Sequence, residues 1–197
     1  MDNFDSLMKS CKIEIFKYSQ RLYSKGLVSA TGGNISMKLG DRILITASNI
    51  SLGDIELEEI VLCDLEGNLL YSDTLLKPSK EINLHIAVYK HRPEIKAVLH
   101  AHPSYATAFS LLDEKLILFS QTAKSKLRNV EIISQAQAGS LELASNVEYA
   151  VKQYTSTNNF LMKGHGILSL GLSVKECFEH TELLEDASKI AILLKSL

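Results

Sequence analysis

The segment AVLHAHP at residues 97–103 places two imidazoles, His100 and His102, one residue apart in an apolar run. Residues 94–102 read as a strand. On a strand, residues i and i+2 leave the same face, so both rings point the same way and lie close together. That pairing suits a metal site and fits poorly in a hydrophobic core. An H-x-H arises by chance roughly 0.2 times in a chain with this many histidines, so the pair needs support from elsewhere.

Working outward, PSKEINLHIAVYKHRP (78–93) reads as a helix that Ser79 can cap and Pro93 stops. Further upstream, EIVLCDLEGNLL (59–70) reads as a hairpin turning at EGN, and RILIT (42–46) as a strand after the turn LGD. GLVSATGGNIS (26–36) reads as a small-residue loop leading towards it. Phe4, Leu7, Met8, Cys11, Ile15 and Leu22 recur at helical spacing, so residues 3–24 form an amphipathic helix ending before Gly26. Downstream of the histidine pair comes a mixed stretch with a short strand near 130–133. A helix follows at 140–154. NFLMKGHGILSLG (159–171) reads as two strands broken by Gly-His-Gly, and residues 173–197 as a long helix opened by a Ser173/Glu176 capping box. Repeats, linkers and domain breaks are absent from this reading. The expected architecture is one α/β domain over 1–197, a layered sheet with helices on its faces and mainly antiparallel pairing.

The 197 residues are 46% hydrophobic with a net charge of -2, which suits a globular core and argues against a nucleic-acid partner. No apolar run is long enough to span a membrane, and the N-terminus is acidic, unlike a secretory signal. Cys11, Cys63 and Cys177 are odd in number and far apart, as expected of reduced thiols in a cytoplasmic protein.

Three features carry chemistry. His165 lies between Gly164 and Gly166, where the backbone can turn sharply and come close to a neighbour. With His100 and His102 it could complete a three-histidine set, and three ligands with an open position characterise a catalytic zinc. Glu81, expected in the first turn of the 78–93 helix, is the candidate base, although carboxylates are common in first turns because the helix dipole favours them. TGGN (31–34), TASN (46–49) and PSK (78–80) are small polar clusters of the kind whose backbone N–H groups hold phosphate. His85, His91 and His180 fall on helices at half-exposed positions and read as structural.

Taken in order and spacing, KGLVSATGGNIS, PSKE, EIKAVLHAHPSYATAFS and KGHGILSLG resemble the class II aldolase/adducin family over nearly the whole chain. The resemblance implies a three-layer α/β/α fold with a largely antiparallel central sheet. It also implies a cyclic homotetramer with active sites at subunit interfaces. One Zn2+ per chain falls on His100, His102 and His165. The catalytic glutamate falls on Glu81, which can also ligate the resting metal. The phosphate pocket falls on Gly33, Asn34, Ser48, Asn49, Ser79 and Lys80. The implied activity is cleavage of a small ketose phosphate to dihydroxyacetone phosphate and an aldehyde through a metal-stabilised enediolate. Dehydration or epimerisation of a sugar phosphate on the same scaffold, and a zinc-stabilised adducin-like binding module, are the alternatives. Three departures stand out. Lys80 occupies the place of a second serine, the position of the tyrosine that protonates the departing aldehyde falls on Gln121, and the family aldolases' C-terminal tail has no counterpart after Leu197.

Overall fold

A computed structural model describes residues 3–70, 75–112 and 114–196. Along the chain come α1 (Asn3–Ser24), β1 (Asn34–Leu39), β2 (Arg42–Thr46), a 3-10 turn (Leu57–Glu59), β3 (Ile60–Asp64), α2 (Ile82–His91), β4 (Ala97–Ala101) and α3 (Ser104–Ser110). They are followed by α4 (Gln121–Leu127), β5 (Val130–Ile133), α5 (Leu141–Gln153), β6 (Asn159–Met162), β7 (Gly166–Gly171) and α6 (Val174–Lys195). The strands share one sheet in the order β3-β2-β1-β4-β7-β6-β5. Every neighbouring pair is antiparallel except β5 beside β6. The chain therefore has the expected α/β/α layering and a mainly antiparallel sheet.

Side-chain alternation sorts the sheet into two buried faces. Ile43, Ile45, Val98, Phe160 and Leu168 pack under α2 and α5. Ile35, Met37, Leu44, Leu99 and Ala101 pack under α1 and α6. Leu161 and Ile167 continue that second face beneath α3, α4 and α6. Each such Val, Leu, Ile, Met or Phe side chain contributes about 1.5–3 kcal/mol by leaving water, so the central strands β1, β4 and β7 are the most firmly seated. Cys11, Cys63 and Cys177 are buried and unpaired, and burial followed by the charge of Asp64 pushes the Cys63 thiol up to about 11. Among the described residues, no helix is long and apolar enough to cross a membrane.

Several boundaries differ from the sequence reading. Residues 34–36, read as the end of the 26–36 loop, open the strand Asn34–Leu39: its polar residues Asn34, Ser36 and Lys38 alternate with Ile35, Met37 and Leu39, and the glycines before it conceal that period of two. The helix expected at 78–93 begins at Ile82, because Ser79 lies in a turn tied to β2, its N–H donating to Thr46 O. Glu81 is thus the N-cap of α2, not a first-turn residue. The mixed stretch holds the two short helices α3 and α4. At α6, Ser173 Oγ accepts from the Glu176 N–H as expected, while the Glu176 carboxylate accepts from Leu172 N–H instead of closing the box on Ser173. Leu197, the last residue expected in that helix, lies outside the described residues.

Candidate active site

Each histidine is placed by the sheet. His100 sits near the end of β4, opposite Asn34 of β1 and Leu168 of β7. His102 lies one step beyond the strand, its N–H donating to Leu27 O. His165 occupies the turn between β6 and β7. There its N–H closes on Met162 O, Lys163 N–H reaches Ile133 O, and Gly164 N–H donates to Ser110 Oγ at the end of α3. Gly166 lets β7 press against β4, since a Cβ there would stand 2.1 Å from Ala101 O and 3.0 Å from His102 Cδ2. Gly33 has φ +80°, and a Cβ on it would meet Val28 Cγ1 at 2.6 Å and His100 O at 3.0 Å. Only a glycine allows the TGGN loop to lie this close to the histidine strand. Glu81 is carried in by the turn before α2, where Pro78 bridges Ala47 and Ser79 Oγ accepts from the Glu81 N–H.

These elements bring Glu81, His100, His102 and His165 together, with one donor atom from each inside a 4.8 Å group. His102 Nε2 stands 2.7 Å from His100 Nε2, and His165 Nε2 stands 3.2 Å from it. The Glu81 oxygens lie 3.2 Å from His100 Nε2 and 3.4 Å from His165 Nε2. His100 Nδ1 faces Ile167 O at 2.8 Å and donates to it, which turns its Nε2 lone pair towards the cluster. Three ring nitrogens and a carboxylate crowded this closely need positive charge among them, a metal ion or a proton. Glu81 Oε1 is buried with no hydrogen-bond donor, a second sign that the carboxylate is meant for a positive charge. This donor set is the one that suits zinc and several other divalent metals.

The same crowding sets the proton affinities. Burial lowers His102 to about 3 and His165 to about 4, with the charge on His100 adding to it. Burial also acts against a proton on His100, but the adjacent Glu81 carboxylate outweighs it and raises that pKa. Burial alone would raise Glu81; the positive charge of His100 and the hydrogen bonds from His100 and Asn34 overcome it and hold the carboxyl well below its usual range.

Beside the cluster lies a cavity of about 210 Å³. Gly33, Asn34, Ser48, Asn49, Ser79 and Lys80 all line it, and Glu81 and His102 open onto it. Three chain segments read separately in the sequence therefore share one hollow next to the histidines. A larger cavity of about 930 Å³ lies between α4 and α6 and contains none of these residues; convergent donor groups, not volume, mark the site.

The family model described as class II aldolase and adducin N-terminal domain matches residues 13–192. The chain belongs to the class II aldolase and adducin family. It is 35% identical over 184 residues to the L-fuculose phosphate aldolase of Methanococcus maripaludis, covering 93% of this chain and 97% of that protein. It is 32% identical over 179 residues to the 3-oxo-tetronate 4-phosphate decarboxylase of Haemophilus influenzae, covering 88% and 82%. A solved L-fuculose 1-phosphate aldolase superposes with TM-score 0.86 at 31% identity, over 95% of this chain and 87% of that one.

Within this class II aldolase fold, the sequence reading missed three site residues. Ala138 and Gly139 also line the cavity. As a small-residue pair just ahead of the α5 cap, Ser140, they carried a signal of their own. The third is His85, expected half-exposed on its helix but fully buried beneath the site, where Nδ1 meets Ser36 Oγ and Nε2 meets Asn34 Oδ1. Gln121 opens α4 and is exposed, away from the cavity of its own chain.

Proposed function

We propose that this chain is a zinc-dependent lyase that cleaves a carbon–carbon bond beside the carbonyl of a small phosphorylated sugar. The reaction is a retro-aldol cleavage of a ketose phosphate to dihydroxyacetone phosphate and an aldehyde. The observation that carries this reading is the meeting of the Glu81 carboxylate with three histidine Nε2 atoms at the edge of a small polar cavity. His100, His102 and His165 would hold the metal, with Glu81 as a fourth ligand in the resting state. When bound, the metal supplies Lewis-acid polarisation of a substrate carbonyl, a contribution of several kcal/mol.

The chain's own groups do the rest. Gly33, Ser48, Asn49, Ser79 and Lys80 offer N–H, hydroxyl, amide and ammonium donors to a phosphate, and fixing it sets the reacting carbon against Glu81. In the condensation direction Glu81 takes the proton from the carbon next to the carbonyl, and in cleavage it returns one there. A base so placed contributes about 10²–10⁴-fold. Relatives named L-fuculose phosphate aldolase support this substrate class. The homotetramer implied by the family resemblance would add neighbouring-subunit residues at the mouth of the cavity.

The test is solvent exchange. The wild-type chain loaded with zinc should exchange the C–H proton of dihydroxyacetone phosphate in deuterated water, and Glu81→Gln should keep zinc but lose exchange. His165→Ala should lose the zinc itself. Exchange unchanged in Glu81→Gln removes this residue from the proton transfer.

Gln121 favours a second reading. Loss of CO2 from a 3-oxo acid phosphate leaves the same kind of electron-rich carbon for Glu81 to protonate, yet requires no group such as the tyrosine to take a hydroxyl proton as the bond breaks. The relative named 3-oxo-tetronate 4-phosphate decarboxylase shows a reaction of this kind in the family. Product analysis on ketose 1-phosphates, pentulose 5-phosphates and a 3-oxo-tetronate 4-phosphate separates aldol cleavage, decarboxylation, dehydration and epimerisation.

A further inference from the structure

We infer that His85 is a positioning residue for Glu81, acting through a buried chain of hydrogen bonds that runs in one direction from Tyr89 to the carboxylate. The inference rests on the reading of Glu81 as the base.

The links are Tyr89 Oη to Ser36 Oγ at 2.7 Å, Ser36 Oγ to His85 Nδ1 at 2.7 Å, His85 Nε2 to Asn34 Oδ1 at 2.5 Å, and Asn34 Nδ2 to Glu81 Oε2 at 2.9 Å. All five residues are buried. The arrangement follows from two spacings. Glu81, His85 and Tyr89 are four apart and share one face at the start and along the length of α2. Asn34 and Ser36 are two apart and share one face of β1.

One premise fixes every proton. An ionised Glu81 can only accept, so Asn34 must present its NH2 to it and its carbonyl to His85. His85 must then carry its proton on Nε2. Its Nδ1 is therefore bare and accepts from the Ser36 hydroxyl, whose oxygen in turn accepts from Tyr89. Burial, with the charge of His100 adding to it, lowers His85 to about 3, so the ring is neutral and the one-proton arrangement holds.

The function of this order is to lock an amide that could otherwise face either way. Without the His85 N–H, the Asn34 carbonyl has no donor, and the amide can turn its oxygen towards the carboxylate and drive Glu81 from its place. His85 does not line the cavity, and His100, His102 and His165 would still hold the metal with Glu81 displaced, so metal capture and phosphate binding should be indifferent to it. Outer partners of this kind typically change activity by about 10–100-fold.

Two measurements test this. A long-range 1H–15N spectrum of histidine-labelled wild-type protein should show His85 as the Nε2–H tautomer, and an Nδ1–H ring overturns the inference without reference to any substrate. His85→Leu should keep wild-type metal content and a KM within about 3-fold, with kcat lowered about 10–100-fold, whereas His85→Gln, whose amide can accept from Ser36 and donate to Asn34, should restore most of it. An unchanged kcat in His85→Leu at full metal content overturns the inference, as does Gln failing to exceed Leu while both remain folded and metal-loaded. If the wild-type chain exchanges or cleaves no sugar phosphate while His85 shows the Nε2–H tautomer, the reaction reading fails and the hydrogen-bond order stands.

Discussion

Replacing Gly166 by alanine puts a number on how the sheet assembles the histidines. The new Cβ would stand 2.1 Å from the carbonyl oxygen of Ala101, where an ordinary carbon–oxygen contact is about 3.3 Å, so the two backbones must part by about 1.2 Å. Both are strand backbone, and neither can swing aside as a side-chain end could. Metal ligands tolerate only about 0.2 Å of displacement, and the parted segments carry His102 on one side and His165 on the other. Gly166→Ala should therefore fold but lose most of its metal. Overpacking of this kind costs about 1–3 kcal/mol, which for a chain of this length lowers Tm by about 2–12 °C. Gly164→Ala is the control. Its φ is +63°, and its Cβ would meet only the ends of the Leu111 and Gln135 side chains, at 3.2 and 3.3 Å. It should show a backbone cost of about 1–2 kcal/mol with metal content intact. The assay is metal analysis by mass spectrometry after dialysis against a weak chelator, together with calorimetry. Full metal occupancy in Gly166→Ala, with a Tm equal to the wild type, refutes the argument.

Two further outcomes are expected. After chelation the protein should be most stable near pH 6.5 and lose stability on the acid side. His85 and His102 are lowered to about 3 and His165 to about 4, in each case by burial first and the His100 charge second, so below pH 6.5 the unfolded chain binds protons that the folded chain refuses. Each group adds at most about 1.4 kcal/mol per pH unit. The raised His100 acts in the opposite sense, its contribution being lost as pH rises above 6.5; a flat urea-unfolding profile from pH 5 to 6.5 contradicts this. Arg92→Ala should cost about 2–4 kcal/mol by urea denaturation, because the buried guanidinium donates to Thr157 O and Asn158 Oδ1 and leaves that carbonyl unpaired when removed. A loss below about 0.5 kcal/mol, the scale of an ordinary surface change, contradicts that account.

Long periodic segments were legible from the sequence. α1 spans the expected residues 3–24, and the two runs around Gly-His-Gly are β6 and β7 with His165 in the turn between them. The cluster of Glu81 with His100, His102 and His165 was legible because i, i+2 spacing and flanking glycines constrain geometry locally. What escaped depended on partners. β1 looked like loop because its polar residues serve a buried purpose: Asn34 and Ser36 face His85 rather than water. His85 looked half-exposed for the converse reason, since a polar residue on an amphipathic helix usually faces solvent and only the strand opposite supplies its two partners. α3 and α4 are each seven residues long, too short for a helical period to stand out, and they are held by packing beneath α6.

The position of β7 in the sheet has a consequence for biosynthesis. It is the last strand in the chain, yet it lies in the interior of the sheet, between β4 and β6. While a ribosome is making the chain, β3, β2, β1 and β4 can already pair, leaving β4 with a bare hydrogen-bonding edge and the His100–His102 pair uncovered. At ordinary elongation rates the gap between His102 and Gly171 lasts about 3–14 s. During that interval the nascent protein carries two of the three clustered histidines and an unpaired edge of the kind that templates aggregation, and both exposures end together when the last strand slots in.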